Sequence, residues 1–167
     1  MRDLASTQPD EAVTQAEAIK HPGFRLEALV DVAAALGQSN KDKTIAVLGE
    51  VERLAEAAED PEATVNALAG ASEIWAGLGD EKNASRLIEA GFDFAESVLQ
   101  RYQAESSYSV IQSSVAYFFV RLAWAETRIS PEHAAIRARA ISEPRLRALV
   151  LLNVAKTAPF AETEKHF

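Results

Sequence analysis

Three residues of one predicted helix, Arg121, Trp124 and Arg128, are of the types that most often anchor a protein partner. Their spacing of three and four residues places them along one stripe of a helix, and Tyr117 precedes them on the same side. Two guanidinium groups on that stripe can hold a carboxylate, and the aromatic rings beside them supply apolar contact area. The stripe formed by Tyr117, Arg121, Trp124 and Arg128 therefore predicts a partner-binding surface suited to an acidic or C-terminal carboxylate group.

The helix that carries this stripe is apolar nearly all the way round, as the letters VAYFFVRLAWA at residues 115–125 show. Such a helix is either central and buried or exposes a patch to a partner. Its inward stripe is expected to comprise Tyr108, Ile111, Val115, Phe118 and Leu122. One alternative is a helix covered on two sides, with Arg121 extending outward to water. Another is a small-ligand pocket in an all-α enzyme or binding protein, lined by Tyr108, Tyr117, Arg121 and Trp124.

The remaining reactive residue types are not arranged for chemistry. The chain has three histidines, none of which has a second ligand at a helical metal-binding spacing. Cysteine, a Gly-x-Ser-x-Gly nucleophile motif and a Gly-x-x-x-x-Gly-Lys phosphate loop are all missing. Glu52, Glu56 and Glu59 share a helical spacing, but no complementary group accompanies them, which favours a solvated face. We therefore expect no enzyme activity, no catalytic residue, no metal and no cofactor.

The charge is distributed unevenly along the chain. Residues 1–115 carry a net charge of -11 and residues 116–167 carry +3, which together give the -8 of all 167 residues. Binding to nucleic acid is unlikely on this ground, because phosphate contacts need a clustered basic face. No apolar run approaches the ~20 residues that span a bilayer, and no signal peptide precedes the first helix. A cytoplasmic protein that does not enter membranes is the expectation.

The pattern predicts helices and no strands, because alanine is abundant and period-two alternation is missing. Prolines stand at segment boundaries, where Asp60-Pro61-Glu62 and Ser130-Pro131-Glu132 have the composition of helix N-termini. We expect an all-α fold of about eight antiparallel helices, with residues 1–158 as a single domain and 159–167 as a C-terminal tail. The predicted helices cover residues 9–20, 23–37, 41–58, 61–77, 81–100, 105–127, 131–141 and 144–158.

These helices recur as pairs with a period of roughly 40 residues, which is typical of stacked helical repeats. The segment LGDEKNA at residues 78–84 resembles the turn and second-helix start of tetratricopeptide repeats, where Leu-Gly-Asp precedes a small inward-facing alanine. The period is closer to that of HEAT repeats. The resemblance implies four helical hairpins stacked in a right-handed α-solenoid that offers a concave surface to protein partners. We expect a non-catalytic interaction module, which is an adaptor or a structural subunit of a larger assembly.

An echo between the two ends of the chain supports the repeat. The letters RLEALV at residues 25–30 return as RLRALV at residues 145–150. Leu26, Leu29, Val30 and Ala33 are expected to face inward, and Leu146, Leu149 and Val150 to repeat that stripe. The last helix is apolar on most faces, so a second copy of the chain or another protein is expected to cover it. The alternative cover is the tail, which contains Phe160 and Phe167.

Overall fold

The computed structural model describes residues 2–104 and 108–157. Within these residues the secondary structure consists of nine α-helices and one short 3₁₀ helix, Gly37–Asn40, without strands. The eight predicted helices are confirmed as α2 to α9, and α1 is an additional short helix. The predicted tail 159–167, with Phe160 and Phe167, lies outside the described residues, as do residues 105–107 and the side chains of Tyr108 and Ile111. The helices are α1 (Arg2–Thr7), α2 (Pro9–Glu17), α3 (Pro22–Leu36), α4 (Lys41–Ala57), α5 (Pro61–Gly77), α6 (Glu81–Ala104), α7 (Tyr108–Ile129), α8 (Pro131–Ala140) and α9 (Pro144–Thr157).

Two of the predicted helix starts have the expected capping bonds. The side chain of Asp60 accepts hydrogen bonds from the backbone N–H groups of Glu62 and Ala63, at 3.0 and 3.2 Å. Ser130 accepts a longer bond of 3.4 Å from the backbone N–H of His133. Both satisfy N–H groups that have no partner within the helix, so α5 and α8 begin at fixed positions.

The odd-numbered helices form one continuous layer. Helix α1 packs on α3, α3 on α5, α5 on α7, and α7 on α9. Each even-numbered helix packs on the two odd-numbered helices that flank it in the sequence. Helix α5 stands in the middle of the layer and contacts α3, α4, α6 and α7. The odd-numbered helices therefore share one face of this layer, on the side that the even-numbered helices do not cover.

Two hydrophobic cores meet at α5. The first comprises residues of α1 to α5 with Leu78 of the following turn and Ala84 and Leu87 of α6, and the second lies among α5 to α9. The small residues of α5 allow a close approach, since a Cβ atom on Gly70 would lie 2.7 Å from Cγ1 of Val30 on α3. A Cβ on Gly91 of α6 would lie 2.5 Å from Cδ2 of Leu122 on α7. Glycine at these two positions sets the distances between neighbouring helices.

The repeated residues of α3 and α9 are buried alike at only some of their positions. Leu26, Leu29 and Ala33 of α3 are buried, as predicted, and so are Leu146 and Val150 of α9. The prediction that Leu149 faces inward is wrong, because its side chain is 40% exposed. The physical reason is the number of neighbouring helices: α3 packs on α1, α2, α4 and α5, whereas among the described residues α9 packs mainly on α7 and α8. The outer side of α9 therefore stays uncovered by the described residues.

Candidate partner-binding site

Helix α7 has one buried side and one accessible stripe. It packs on α5, α6, α8 and α9, and Val115, Phe118 and Leu122 are buried in the second core, as the spacing predicts. On another side of the same helix, Tyr117 is 43% and Trp124 is 40% exposed. Helix α7 is therefore a central helix of the layer that also has exposed aromatic side chains.

The guanidinium groups of Arg121 and Arg128 both lie over the ring of Trp124. The Cζ atom of Arg121 is 5.2 Å and that of Arg128 is 5.0 Å from the centroid of its ring. These distances permit cation–π attraction, which is stronger for tryptophan than for the other aromatic residues. The three side chains that the sequence placed on one stripe therefore form one cluster.

A single carboxylate on α5 joins the two arginines. Nη1 of Arg121 donates to Oε1 of Glu73 at 2.7 Å, and Nη1 of Arg128 donates to Oε2 at 3.2 Å. Glu73 and Arg121 have side chains only 22% and 20% exposed, so this ion pair is partly shielded from water. The side chain of Arg128 is 59% exposed. Arg128 is thus the more accessible of the two cations, and Arg121 serves mainly to tie α7 to α5.

Tyr117 is also held by α5. Its hydroxyl group donates a hydrogen bond of 2.9 Å to Oδ1 of Asn66. The bond orients the ring while leaving much of it accessible to solvent. All four predicted partner-binding residues are brought together along one side of α7, at its junction with α5.

A groove runs from this junction toward α3. Its volume is about 420 Å³, which lies in the range of small-molecule sites. Arg121 and Arg128 of the α7 stripe line this groove, whereas Tyr117 and Trp124, which were predicted to line a ligand pocket, do not. The lining residues come from α3, α5 and α7 and from the turns that follow α3 and α5, and they include Val30, Asp31, Gly70, Glu73, Ile74, Arg121 and Arg128.

The predicted acidic stripe has a structural role at its first position. Oε1 of Glu52 accepts a bond of 3.2 Å from the indole N–H of the buried Trp75, and Oε2 accepts one of 2.6 Å from Arg86. Glu56 is exposed, and Glu59 follows the end of α4, so the three carboxylates do not form one helical stripe. This side of the molecule joins α4, α5 and α6.

One acidic group is buried in the second core. The side chain of Glu126 on α7 is 5% exposed, and its Oε1 accepts a hydrogen bond of 3.1 Å from Nε of Arg137 on α8. Its other oxygen has no hydrogen-bond partner among the described residues. Burial raises the pKa of Glu126, and the positive charges of Arg137 and His133 oppose that rise without cancelling it. Glu126 links α7 to α8 and is not part of the exposed stripe.

Sequence reasoning missed Glu73 and Asn66, which hold the stripe from α5. A signal was present, because Glu73 is the single charged residue between Glu62 and the end of α5. A lone charge in a helix of small apolar residues needs a partner when it is partly buried. Its partners could not be identified from spacing, since they lie 48 and 55 residues away.

Comparison with known protein families, curated proteins and solved structures finds no match to this chain. Among residues 2–104 and 108–157, no three histidine, aspartate or glutamate side chains are placed to hold a metal ion. The same part of the chain contains no helix of the length and apolarity that crossing a bilayer requires. The described residues form an all-α protein in which Arg121 and Arg128 lie over the ring of the exposed Trp124.

Proposed function

We propose that this chain is a non-catalytic helical-repeat module that binds a protein partner, as an adaptor or as a structural subunit of a larger assembly. The observation that carries the proposal is the prearranged stripe of Tyr117, Trp124 and Arg128, held in place by Asn66 and Glu73 of the neighbouring helix. Tyrosine, tryptophan and arginine dominate the binding energy of protein interfaces. Side chains already ordered in the free protein lose less entropy on binding.

The alternating contacts of the helices support a repeat architecture. In the proposed arrangement, α2 with α3, α4 with α5, α6 with α7 and α8 with α9 are four hairpins of a right-handed α-solenoid of the tetratricopeptide or HEAT kind. Such a stack uses a surface assembled from equivalent helices of successive repeats to bind its partner. The continuous layer of odd-numbered helices, on which the stripe and the groove both lie, fits that use.

The chemistry of the stripe favours a partner segment with an acidic group beside an apolar side chain. The accessible guanidinium of Arg128 would bind the acid, and the rings of Trp124 and Tyr117 would cover the apolar part. Glu73 already engages both arginines, so an anion would have to share them with it. The overall charge of -8 makes a nucleic-acid partner unfavourable.

Capture of partners by matched baits tests the proposal. Wild-type protein, Trp124→Ala and Arg128→Glu would be immobilised, and the proteins retained from the native lysate identified. Ile136→Ala is the control, since Ile136 is exposed to 62% on α8, away from the stripe. We expect a specific partner to be retained by wild type and Ile136→Ala and to be lost by the other two, with unchanged circular dichroism. Equal retention by Trp124→Ala would contradict the proposal.

The groove supports a second candidate function, the binding of a small ligand or substrate between α3, α5 and α7. Its volume suits a small molecule, and Arg128, the more accessible of its two arginines, would bind an anionic group that competes with Glu73. A thermal-shift screen of anionic metabolites separates the candidates, because a ligand in large excess over its Kd raises the melting temperature. A shift that is lost in Arg128→Ala would favour this second function, whereas a flat screen would leave partner binding as the better account.

A further inference from the structure

The described residues leave a second surface uncovered on the outer side of α9. It consists of the apolar residues Ala148, Leu149, Leu152 and Ala155, which share one stripe, and we name this stripe with its two flanking charges the α9 patch. Leu149 is 40% and Leu152 is 52% exposed. Arg145 and Lys156 flank the apolar residues and are both exposed, so the patch is apolar in its centre and basic at both ends. An apolar stripe of this kind on a terminal helix is typical of a surface that another chain covers.

A third uncovered surface lies where α3 and α5 begin. Its centre is Phe24, which is 62% exposed and lies with its ring 4.7 Å from that of His21. Glu27, Asp60 and Glu62 line the same small cavity as these two rings. We name these five residues the Phe24 patch. It is apolar and aromatic in its centre and acidic at its rim.

The Phe24 patch is built on fixed backbone. Pro22 and Pro61 stand at the first positions of α3 and α5, and Asp60 caps α5. The two helix starts are close together, since a Cβ on Gly23 would lie 3.1 Å from Oδ2 of Asp60. The patch is therefore an ordered surface in the free protein, which favours docking without rearrangement.

The two patches are complementary in apolar character and in charge. Each has an exposed apolar centre, and their rims carry opposite charges: Arg145 and Lys156 on one, and three carboxylates on the other. The charge of the whole chain is distributed in the same way. It is -11 over residues 1–115, which include the Phe24 patch, and +3 over residues 116–167, which include the α9 patch. We infer that the α9 patch of one copy binds the Phe24 patch of a second copy.

A symmetric contact between two α9 patches is less favourable. In an antiparallel pair of α9 helices, Arg145 of one copy would face Lys156 of the other, and in a parallel pair each charge would face its own type. Like charges opposite each other oppose association. The contact is therefore heterologous, with different surfaces of the two copies, and it continues into a ring or a chain of copies.

This assembly leaves the α7 stripe free, because none of its residues belongs to either patch. The inference thus stands apart from the proposed function, and its failure would leave the result for Trp124→Ala untouched. If both hold, one assembly presents several copies of the stripe and binds a multivalent partner more tightly than a single copy does.

Light scattering coupled to size-exclusion chromatography tests the inference on the full chain. We expect the mass of the wild type to rise with concentration, and to rise less at high salt, because screening weakens the contact between opposite charges. Two variants each remove one patch: Leu149→Glu with Leu152→Glu, and Phe24→Lys with Glu62→Lys. Each is expected to be monomeric alone, since each lacks one of the two surfaces. Mixed in equal amounts, they are expected to form a one-to-one dimer through the intact α9 patch of one and the intact Phe24 patch of the other.

Several outcomes would overturn the inference. A wild type that stays monomeric at every concentration would do so, as would a mixture of the two variants without dimer. If the Phe24→Lys, Glu62→Lys variant still self-associates, the contact is between α9 patches and the heterologous arrangement is wrong. Ile136→Glu is the matched control, because it places a charge on an equally exposed apolar residue outside both patches and should associate like the wild type. All substituted side chains are exposed, and circular dichroism checks that each variant is folded.

Discussion

Helices α3 and α9 contain nearly the same six letters, at residues 25–30 and 145–150, but they bury different side chains. Leu29 has no exposed surface, whereas its counterpart Leu149 is 40% exposed. The two leucines have the same local sequence, so the difference comes from position in the stack. Helix α3 lies between neighbours on several sides, and α9 is the last described helix of the layer. In a stacked helical protein, the same letters act as core inside the stack and as surface at its end.

The largest difference in the free energy of unfolding is expected between substitutions of the two leucines themselves. Leu29→Ala should lower the free energy of unfolding by about 2–5 kcal/mol, because it leaves a cavity in a closed core. Leu149→Ala removes the same atoms from a partly solvated site and should cost less than about 1 kcal/mol. Urea unfolding of both variants, in samples dilute enough to be monomeric, measures the difference. Equal losses would mean that α9 is as enclosed as α3.

A somewhat smaller effect is expected where α3 meets α5. Gly70→Ala places a methyl group against the stiff, branched side chain of Val30 and should cost about 1–2 kcal/mol, since the helices must move apart. Gly49→Ala is the matched control on α4, because nothing lies within 4 Å of a Cβ added there. It should raise stability by up to about 1 kcal/mol through helix propensity alone. Chemical denaturation would contradict the close packing of α3 on α5 if both alanines were stabilising.

The smallest expected effect is a pH dependence of stability that arises in the second core, which contains the buried carboxyl group of Glu126. Because burial raises the pKa of Glu126, its folded form binds a proton more tightly than its unfolded form. This group therefore adds stability as the pH falls toward its folded pKa, and that gain is lost as the pH rises above it. Glu126→Gln has no such dependence. The unfolding free energy of the wild type minus that of Glu126→Gln should thus increase when the pH is lowered from about 7 to about 5. A constant or decreasing difference would contradict the desolvated state of this carboxyl group.

The sequence predicted most of the fold, because helix starts and apolar periodicity are local properties. The capping residues Asp60 and Ser130, the inward stripe of α7 and the eight helices α2 to α9 all follow from letters close together in the chain. The clustering of Arg121, Trp124 and Arg128 followed for the same reason, as one helix determines their relative positions.

What could not be predicted depends on contacts between distant segments. The bonds of Glu73 to two arginines of α7 join residues about fifty positions apart, and no periodicity reports them. The same holds for the exposure of Leu149, which depends on how many helices surround α9 rather than on its own letters. Long-range neighbours thus decide which apolar stripes become core and which remain surface.

The central claim is that the α7 stripe binds a protein partner, and crosslinking from within the stripe tests it most directly. A photoreactive amino acid would replace Trp124 in one bait and the more exposed Ile136 in another, and both would be irradiated in native lysate. We expect one defined protein to be crosslinked from position 124 and not from position 136. Crosslinks of the same pattern from both positions, or none from position 124, would contradict the account.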